Sequence, residues 1–450
     1  MDRYSDIAVE YGGLEDWSGP ATWGQRAIWY PIEWYAPHDH YFNLGRVLTL
    51  GSGLAPADLA AVVREAVVRH PALRTSFAAP DGSLRQTLHG TGTLRVRHFA
   101  AERAQAQTAA RSLVDLSQRE RFDQCDGPSV RALAFGSADR VYALGLVVSH
   151  LISDGGGMEV LIDDLRRLAA HRRRDPGRLP PRPDGRTPRE QAEYEAGPMA
   201  QRRCAAALEQ WRTLLEDAPA PLLPAVPTAA EGEPDRWREA CLDGPAVDLA
   251  ARWLGDRWHR TPGAVILAAF ATRLSELTGQ DPLALKVILG NRAAPAQRTA
   301  VGNFVQDGLV CLRTRGRTLA ELAGKADAAL LTAARHGHYD PVAMRDVVAQ
   351  AGSEHGRVLE LDSFFNDFMP AAATPDEQQV RELEPSPVRW DGRMAKQDSL
   401  MFLKLWPDKG YASVRLLADS RRLPLEQTEK LLTGLQELLL SEVRVTLTSG

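Results

Sequence analysis

One histidine, His150, stands four residues before an aspartate, Asp154, and three glycines follow at positions 155–157. All of them lie in the stretch "VVSHLISDGGG". A histidine titrates near neutral pH, so its ring can accept a proton from an amine or hydroxyl nucleophile. The aspartate could orient the imidazole, or it could turn away and fix the loop to an arginine. The stretch therefore combines an acid–base group with a backbone to which glycine gives unusual conformational freedom.

The elements around His150 are expected to present it to a cleft. The residues before it, "YALGLVVS", are apolar almost throughout, which predicts a strand covered on both faces. The glycines allow positive φ and close backbone approach, and the spacing of apolar residues after them predicts a helix. The alternative is a histidine with a purely structural role at the strand end. The pattern H-x-x-x-D-G alone does not separate the two.

Other patterns give weaker predictions. His336 and His338 have a spacing that suits one face of a strand better than a helical metal pair, and no cysteine or carboxylate cluster accompanies them. We therefore expect no metal site. The glycines after Asp154 lack the lysine and the spacing of a phosphate-binding loop. Asn366 and Asp367 are expected at a strand end, either beside a substrate or in a turn.

The composition argues against several classes of function. The chain has 450 residues, which suggests two domains or one pseudo-duplicated body, and with 44% hydrophobic and 25% charged residues it is typical of a globular protein. A net charge of −4 gives no electrostatic reason to expect nucleic acid or an anionic membrane. No apolar run approaches the ~20 residues of a membrane span. The first residues do not resemble a secretory signal, and the four scattered cysteines favour reduced thiols. We expect a cytoplasmic protein that is a monomer.

Helical and strand patterns interleave along the chain, so the predicted fold class is α/β or α+β, with at least one mixed sheet in each half. Helices are predicted at 21–35, 56–70, 104–119, 158–171, 201–218, 262–279 and 423–443. Strands are predicted at 41–50, in hairpins within 73–89 and 129–150, and at 282–290, 308–314, 360–370, 399–407 and 411–418. A stretch rich in Pro and Arg indicates an exposed connector. The predicted division is an N-terminal lobe at 1–174, the connector at 175–190 and a C-terminal lobe at 191–450.

Taken together, several stretches resemble the condensation domains of nonribosomal peptide synthetases, which belong to a superfamily of chloramphenicol-acetyltransferase-like acyltransferases. "SHLISDG" is similar to the motif H-H-x-x-x-D-G, "RHPALRTSF" to R-H-x-x-L-R-T-x-F, and "GNRAAPAQRTAVGNF" to a G-R element followed by V-G-x-F. "TWGQRAIWY", "RFDQCDGPSVRALAF" and "LEQWRTLLEDAPAPLLP" resemble further segments. The matches occur in family order over essentially the whole chain, so together they are far more specific than any one alone.

The resemblance implies a free-standing condensation enzyme, with two chloramphenicol-acetyltransferase-like lobes forming a V around a central tunnel. A carrier protein would supply an acyl or aminoacyl thioester on its phosphopantetheine arm, with no bound cofactor. A small or carrier-bound amine or alcohol would attack it, giving an amide or an ester in natural-product biosynthesis. His150 would accept or orient the proton of the nucleophile, and the amide at Gly155 or Gly156 would stabilise the oxyanion. Asp154 and Arg292 would form a structural ion pair.

The chain departs from the family pattern at the first histidine, which is Ser149 here, and at an Asn-Thr pair that is replaced by Gln306 and Asp307. Ser149, Gly156, Gln306 and Asn366 are expected as positions that line the substrate. Two alternatives stay open: an acyltransferase that uses acyl-coenzyme A, and a non-catalytic platform that recruits an oxygenase. Ser149 is a weak argument for the platform, whereas the retained histidine and aspartate argue for an enzyme.

Overall fold

The computed structural model describes residues 4–175, 177–216, 221–223 and 235–449. Part of the predicted connector, residue 176, lies outside the described residues, and so do 217–220 and 224 of the segment "LEQWRTLLEDAPAPLLP".

The chain forms two compact units with bounds that differ from the division predicted from sequence. Unit 1 consists of Met1–Arg202 and Gly290–Gln306, and unit 2 of Arg203–Leu289 and Asp307–Gly450. The predicted connector belongs to unit 1, because Arg69 Nη2 donates to the carbonyl oxygen of Pro180 at 2.8 Å. The predicted V with its tunnel stays a prediction.

The strands within the described residues are β1 (Tyr4–Tyr11), β2 (Trp17–Pro20), β3 (Asn43–Leu54), β4 (Thr75–Ala78), β5 (Arg85–Leu88), β6 (Gly92–Ala100), β7 (Val130–Gly136), β8 (Val141–Ser149), β9 (Trp237–Leu242), β10 (Leu283–Leu289), β11 (Gln306–Leu312), β12 (Ser363–Asp367), β13 (Val388–Met394), β14 (Met401–Asp408) and β15 (Tyr411–Asp419).

The α-helices of the same part of the chain are α1 (Trp23–Tyr35), α2 (Pro56–Arg69), α3 (Ala106–Ser117), α4 (Gly155–Arg174), α5 (Pro188–Ala196), α6 (Pro198–Leu215), α7 (Ala246–Trp258), α8 (Pro262–Thr278), α9 (Pro295–Arg298), α10 (Leu319–Arg335), α11 (Pro341–Glu354), α12 (Glu377–Arg381) and α13 (Leu425–Ser449). None of the helices searched there is both long enough and apolar enough to cross a bilayer.

In unit 1, β8 lies inside a sheet with the strand order β1-β6-β7-β8-β3. Strands β6 and β7 are parallel, and β8 is antiparallel to both of its neighbours. Alternate residues of β8 enter different hydrophobic clusters: Leu146 and Val148 pack with α2 and α4, whereas Ala143 and Val147 pack with α3. The strand is therefore covered on both faces, as its apolar sequence predicts. The strands β2, β5 and β4 form a separate small sheet.

In unit 2, the sheet order is β11-β10-β12-β14-β15-β9-β13. Strands β10, β12 and β14 are parallel neighbours, and β14, β15, β9 and β13 are antiparallel neighbours. Apolar residues of α7, α8, α10 and α13 pack on this sheet in one hydrophobic cluster. Both units thus contain a mixed sheet with helices, and the predicted fold class is confirmed.

Candidate active site

His150 is the first residue after β8, in a turn that leads to α4. Strand β8 places it there because Ser149, the preceding residue, still pairs with Asn43 of β3. Leu151 and Ile152 follow at 0% and 1% exposure. The turn is thus anchored by the buried Ser149 before His150 and by Leu151 and Ile152 after it. His150 itself is only partly buried, so its side chain is accessible to solvent.

The surroundings of the ring favour a neutral imidazole. Its Nδ1 is enclosed, and no hydrogen-bond partner for it is found among the residues that the structure describes. Burial lowers the pKa of His150 below its ordinary value of 6.5, while Asp154 and the backbone of His150 itself act in the opposite direction. A neutral ring at pH 7 can accept a proton, which is the state that a general base requires.

Asp154 is the N-cap of α4, and its carboxylate is held by backbone amides. Oδ1 accepts from the N–H of Gly157 at 2.8 Å, and Oδ2 accepts from the N–H of Phe304 at 3.0 Å. The backbone N–H of Asp154 donates to the carbonyl oxygen of Gly302 at 3.1 Å. The sequence leaves two roles open for Asp154, to orient the imidazole or to fix the loop to an arginine. In the structure, the carboxylate is turned toward an arginine.

That arginine is Arg292, and all three of its guanidinium nitrogens donate hydrogen bonds. Nε lies 2.9 Å from Asp154 Oδ1 and 3.1 Å from Oδ2, and Nη2 lies 2.7 Å from Oδ1. Nη1 donates to the carbonyl oxygens of Gln297 and Ala300 at 2.6 and 2.9 Å, and Nη2 to that of Gly302 at 2.8 Å. The side chains of Asp154 and Arg292 are 2% and 15% exposed. The ion pair therefore ties the start of α4 to the segment 290–306 inside unit 1.

The three glycines have different neighbours. A Cβ at Gly156 would lie 2.7 Å from Cδ of Arg292, and a Cβ at Gly157 would lie 2.4 Å from Oγ of Ser153. A Cβ at Gly155, in contrast, would meet no atom within 4 Å. Gly156 and Gly157 are thus needed for close packing around the arginine, whereas Gly155 borders open space.

The first turn of α4, which begins five residues after His150, also has free backbone donors to account for. The first amides of a helix have no acceptor within the helix. The cap Asp154 supplies acceptors for Gly157 and Met158. Within the described residues, no acceptor is found for the amides of Gly155 and Gly156, and the dipole of a 20-residue helix favours negative charge beside them. The site therefore combines a neutral imidazole with donors that suit an oxyanion.

The predicted lining positions have different locations. Ser149 is 1% exposed, and its Oγ accepts from the N–H of Leu151. Gln306 is 2% exposed at the start of β11, and Asn366 is 9% exposed in β12 of unit 2. Gly156 is exposed. The role of these four residues in lining a substrate stays a prediction.

The expectation that His336 and His338 lie on a strand was wrong. Helix α10 continues to Arg335, His336 is its C-cap, and His338 lies in the loop before α11. The helix extends this far because its alanine- and leucine-rich sequence has high helix propensity.

Sequence reasoning missed the backbone carbonyls that bind Arg292, because any residue type can supply a carbonyl oxygen. It also missed Asn303, whose Nδ2 donates to the carbonyl oxygen of Gly24 at 2.9 Å. A Cβ at Gly24 would lie 2.2 Å from the carbonyl oxygen of Asn303. Gly24 in "TWGQR" is the sequence feature that could have indicated a close approach of another segment, but it does not identify that segment.

Comparison with known proteins identifies the family of this site. Residues 19–400 match the family model of the condensation domain. The matched range includes His150, Asp154, the glycines and Arg292. The chain therefore belongs to the condensation-domain family.

Similar curated proteins are large synthetases. The isonitrile lipopeptide synthase of Mycobacterium tuberculosis is 28% identical over 340 residues, which cover 70% of this chain and 13% of that protein. The phosphinothricin tripeptide synthetase PhsC of Streptomyces viridochromogenes is 28% identical over 310 residues, which cover 66% of this chain and 28% of that protein. The chain thus spans only a small part of the length of these relatives.

Solved structures show the same fold. SgcC5 of Streptomyces globisporus has a TM-score of 0.67 at 19% identity, and the match covers 95% of this chain and 99% of that one. The condensation domain that mediates chain release from the enacyloxin polyketide synthase has a TM-score of 0.69 at 18% identity, and the match covers 93% and 82% of the two chains.

Proposed function

We propose that this protein is a condensation enzyme, which transfers an acyl or aminoacyl group from a carrier-protein thioester to an amine or a hydroxyl group. The product is an amide or an ester of a natural-product pathway. The donor group is carried by a phosphopantetheine arm, and the protein itself binds no cofactor. No disulfide joins the four cysteines in the part of the chain that the structure describes, which fits the cytoplasmic location that we propose. We also propose that the protein is a monomer.

One observation above all supports the proposal. A partly exposed histidine with a lowered pKa lies in the turn between β8 and α4, and within the described residues no acceptor is found for the first two amides of α4, in a chain whose residues 19–400 match the condensation-domain family. An acyl transfer needs a base for the nucleophile and donors for the oxyanion, and His150 and Gly155 supply these two functions.

The proposed step begins with attack of the acceptor's lone pair on the thioester carbon. The acceptor's proton passes to Nε2 of His150, because Nδ1 is enclosed. The amides of Gly155 and Gly156 donate to the oxyanion that forms. The C–S bond then breaks, and the thiolate of the arm leaves with the proton from the imidazolium. The Asp154–Arg292 pair keeps the loop in place and touches no reacting atom.

The test is intact-protein mass spectrometry of acyl-loaded carrier proteins encoded near the gene of this chain, mixed with the protein and a panel of amines and alcohols. We expect the acyl mass to leave the carrier and an amide or ester to appear. His150→Ala should lower the rate about 10²–10⁴-fold. The matched control is His171→Ala, which removes a partly exposed histidine from the other end of α4 and should leave the rate unchanged.

Other outcomes would favour the alternatives. If only acyl-coenzyme A is consumed, the donor assignment is wrong and the chain is an acyltransferase of the same fold. If every carrier stays loaded while the protein binds an oxygenase, the platform is the better description. A His150→Ala variant that keeps more than a tenth of the rate would contradict the role of His150.

A further inference from the structure

The turn that carries His150 is held by hydrogen bonds from Ser149. The N–H of Ser149 donates to the carbonyl oxygen of Ser129 at 3.1 Å, and the carbonyl oxygen of Ser149 accepts from the N–H of Ile152 at 3.0 Å. Its side chain adds a third bond, in which Oγ accepts from the N–H of Leu151 at 3.3 Å. Serine hydroxyls stabilise turns through such contacts with the backbone two residues on.

The imidazole ring of His150 is held by few hydrogen bonds of its own. Within the part of the chain that the structure describes, Nδ1 of His150 has no hydrogen-bond partner, and the carboxylate of Asp154 is bound to Arg292 instead. The direction of the ring therefore depends mainly on the backbone of the turn. That backbone is fixed on one side by the buried Leu151 and Ile152 and on the other by Ser149.

We propose that Ser149 is a positioning residue for the reaction proposed above. Its hydroxyl holds the N–H of Leu151 and so fixes the turn in which His150 directs its ring to the acceptor. This inference rests on the proposed function, since it concerns the geometry of the proposed base. It also gives Ser149 a role other than lining a substrate, because the side chain is 1% exposed and its oxygen is already engaged.

The size of the site explains why a small hydroxyl residue suits this position. Ser149 pairs across the sheet with Asn43, which is itself buried and donates to the carbonyl oxygens of Gln118 and Glu120 at 3.0 and 2.8 Å. A larger ring has little space there. Threonine adds one methyl group to the same hydroxyl, and alanine removes the acceptor of the Leu151 N–H without adding volume.

The experiment compares Ser149→Ala, Ser149→Thr and the matched control Ser129→Ala in the full chain. Ser129 is also 1% exposed, and its Oγ donates to Oε1 of Gln124 at 2.7 Å. We expect Ser149→Ala to lower kcat about ten- to a hundredfold with little change in KM, because a small displacement of a catalytic group is enough for such a loss. Ser149→Thr should restore most of kcat, and Ser129→Ala should leave it near the wild-type value.

A second measurement does not depend on turnover. In the NMR spectrum, the ring resonance of His150, assigned with His150→Ala, should move or broaden in Ser149→Ala but stay in place in Ser129→Ala. If kcat of Ser149→Ala equals that of Ser129→Ala, or if the ring resonance does not change, the inference is overturned while the proposed function stands. If the wild-type protein consumes no carrier-bound donor, the proposed function fails, and the NMR comparison still decides whether Ser149 fixes the turn.

Discussion

Removal of either member of the Asp154–Arg292 pair should strongly destabilise unit 1. Without Arg292, the carboxylate of Asp154, which is 2% exposed in the wild-type protein, keeps the amides of Gly157 and Phe304 as its donors among the described residues. Without Asp154, the guanidinium keeps three carbonyl acceptors and 15% exposure. One-sided loss of a buried pair costs ~3–5 kcal/mol. We therefore expect Arg292→Ala near the upper end of that range and Asp154→Ala nearer the lower end.

The double variant should lose less stability than the two single variants together. It removes both charges, so neither is left buried and unpaired, and residues in direct contact show coupling energies of ~0.5–3 kcal/mol. We expect a coupling energy toward the upper end of this range. Asp154→Asn refines the test, because an asparagine can still cap α4 but carries no charge. The loss of stability of this variant therefore measures the contribution of the ion pair separately from that of the helix cap.

The free energy of unfolding is measured by urea denaturation, with thermal melting as a second reading. The matched control is the pair of Arg172 and Asp58, 2.8 Å apart with side chains 36% and 39% exposed. Exposed pairs contribute ~0.2–1 kcal/mol, so its variants should change little. Two results would contradict this expectation. In the first, the losses in free energy of unfolding of the two single variants add up to that of the double variant within ~0.5 kcal/mol. In the second, the losses of the buried pair do not exceed those of the exposed pair.

Three further outcomes follow from the same site. Because burial lowers the pKa of His150 below 6.5, the midpoint of the acid-side fall in kcat/KM, where half of the base is protonated, should lie below pH 6.5; a midpoint at or above pH 6.5 would contradict this. Gly156→Ala should lower the melting temperature, because its Cβ would lie 2.7 Å from Arg292. Gly155→Ala has open space around its Cβ and should leave the melting temperature unchanged or raise it. An equal decrease in melting temperature for both variants would show that the arginine can move aside. Ser149→His should destabilise the protein by ~1–3 kcal/mol in urea denaturation, because the site is 1% exposed; unchanged stability would mean that the site has room for the ring.

Local sequence was enough to predict the elements that carry His150. The apolar run of β8, the glycines and the helical period of α4 are all contiguous, and each reflects contacts along one strand or helix. The end of α2 was equally predictable, because Pro71 disfavours helix at the residue before it, and α2 ends at Arg69. The pairing of Asp154 with Arg292 was implied only by the resemblance to the family.

Several strands could not be predicted because their stability comes from distant partners. Strand β1 pairs with β6, and β9 lies between β15 and β13. Segments such as "WREACL" (237–242) have no clear alternation of apolar and polar residues. In a sheet, hydrogen bonds and burial come from neighbouring strands, so a short segment acquires its structure only with them.

The sequence by itself determined the residue types of the site and their local frame: a histidine after a buried strand, followed by an aspartate and three glycines before a helix. Only the tertiary structure decided that 290–306 belongs to unit 1, that backbone carbonyls surround Arg292, and that Ser149 is buried against its own turn. The physical reason is that spacing along the chain encodes local conformation. Burial and hydrogen-bond partners, by contrast, depend on how the chain folds. Folding brings together distant residues such as Asp154 and Arg292, whose separation is 138 positions, and it also decides which nearby carbonyls face a side chain.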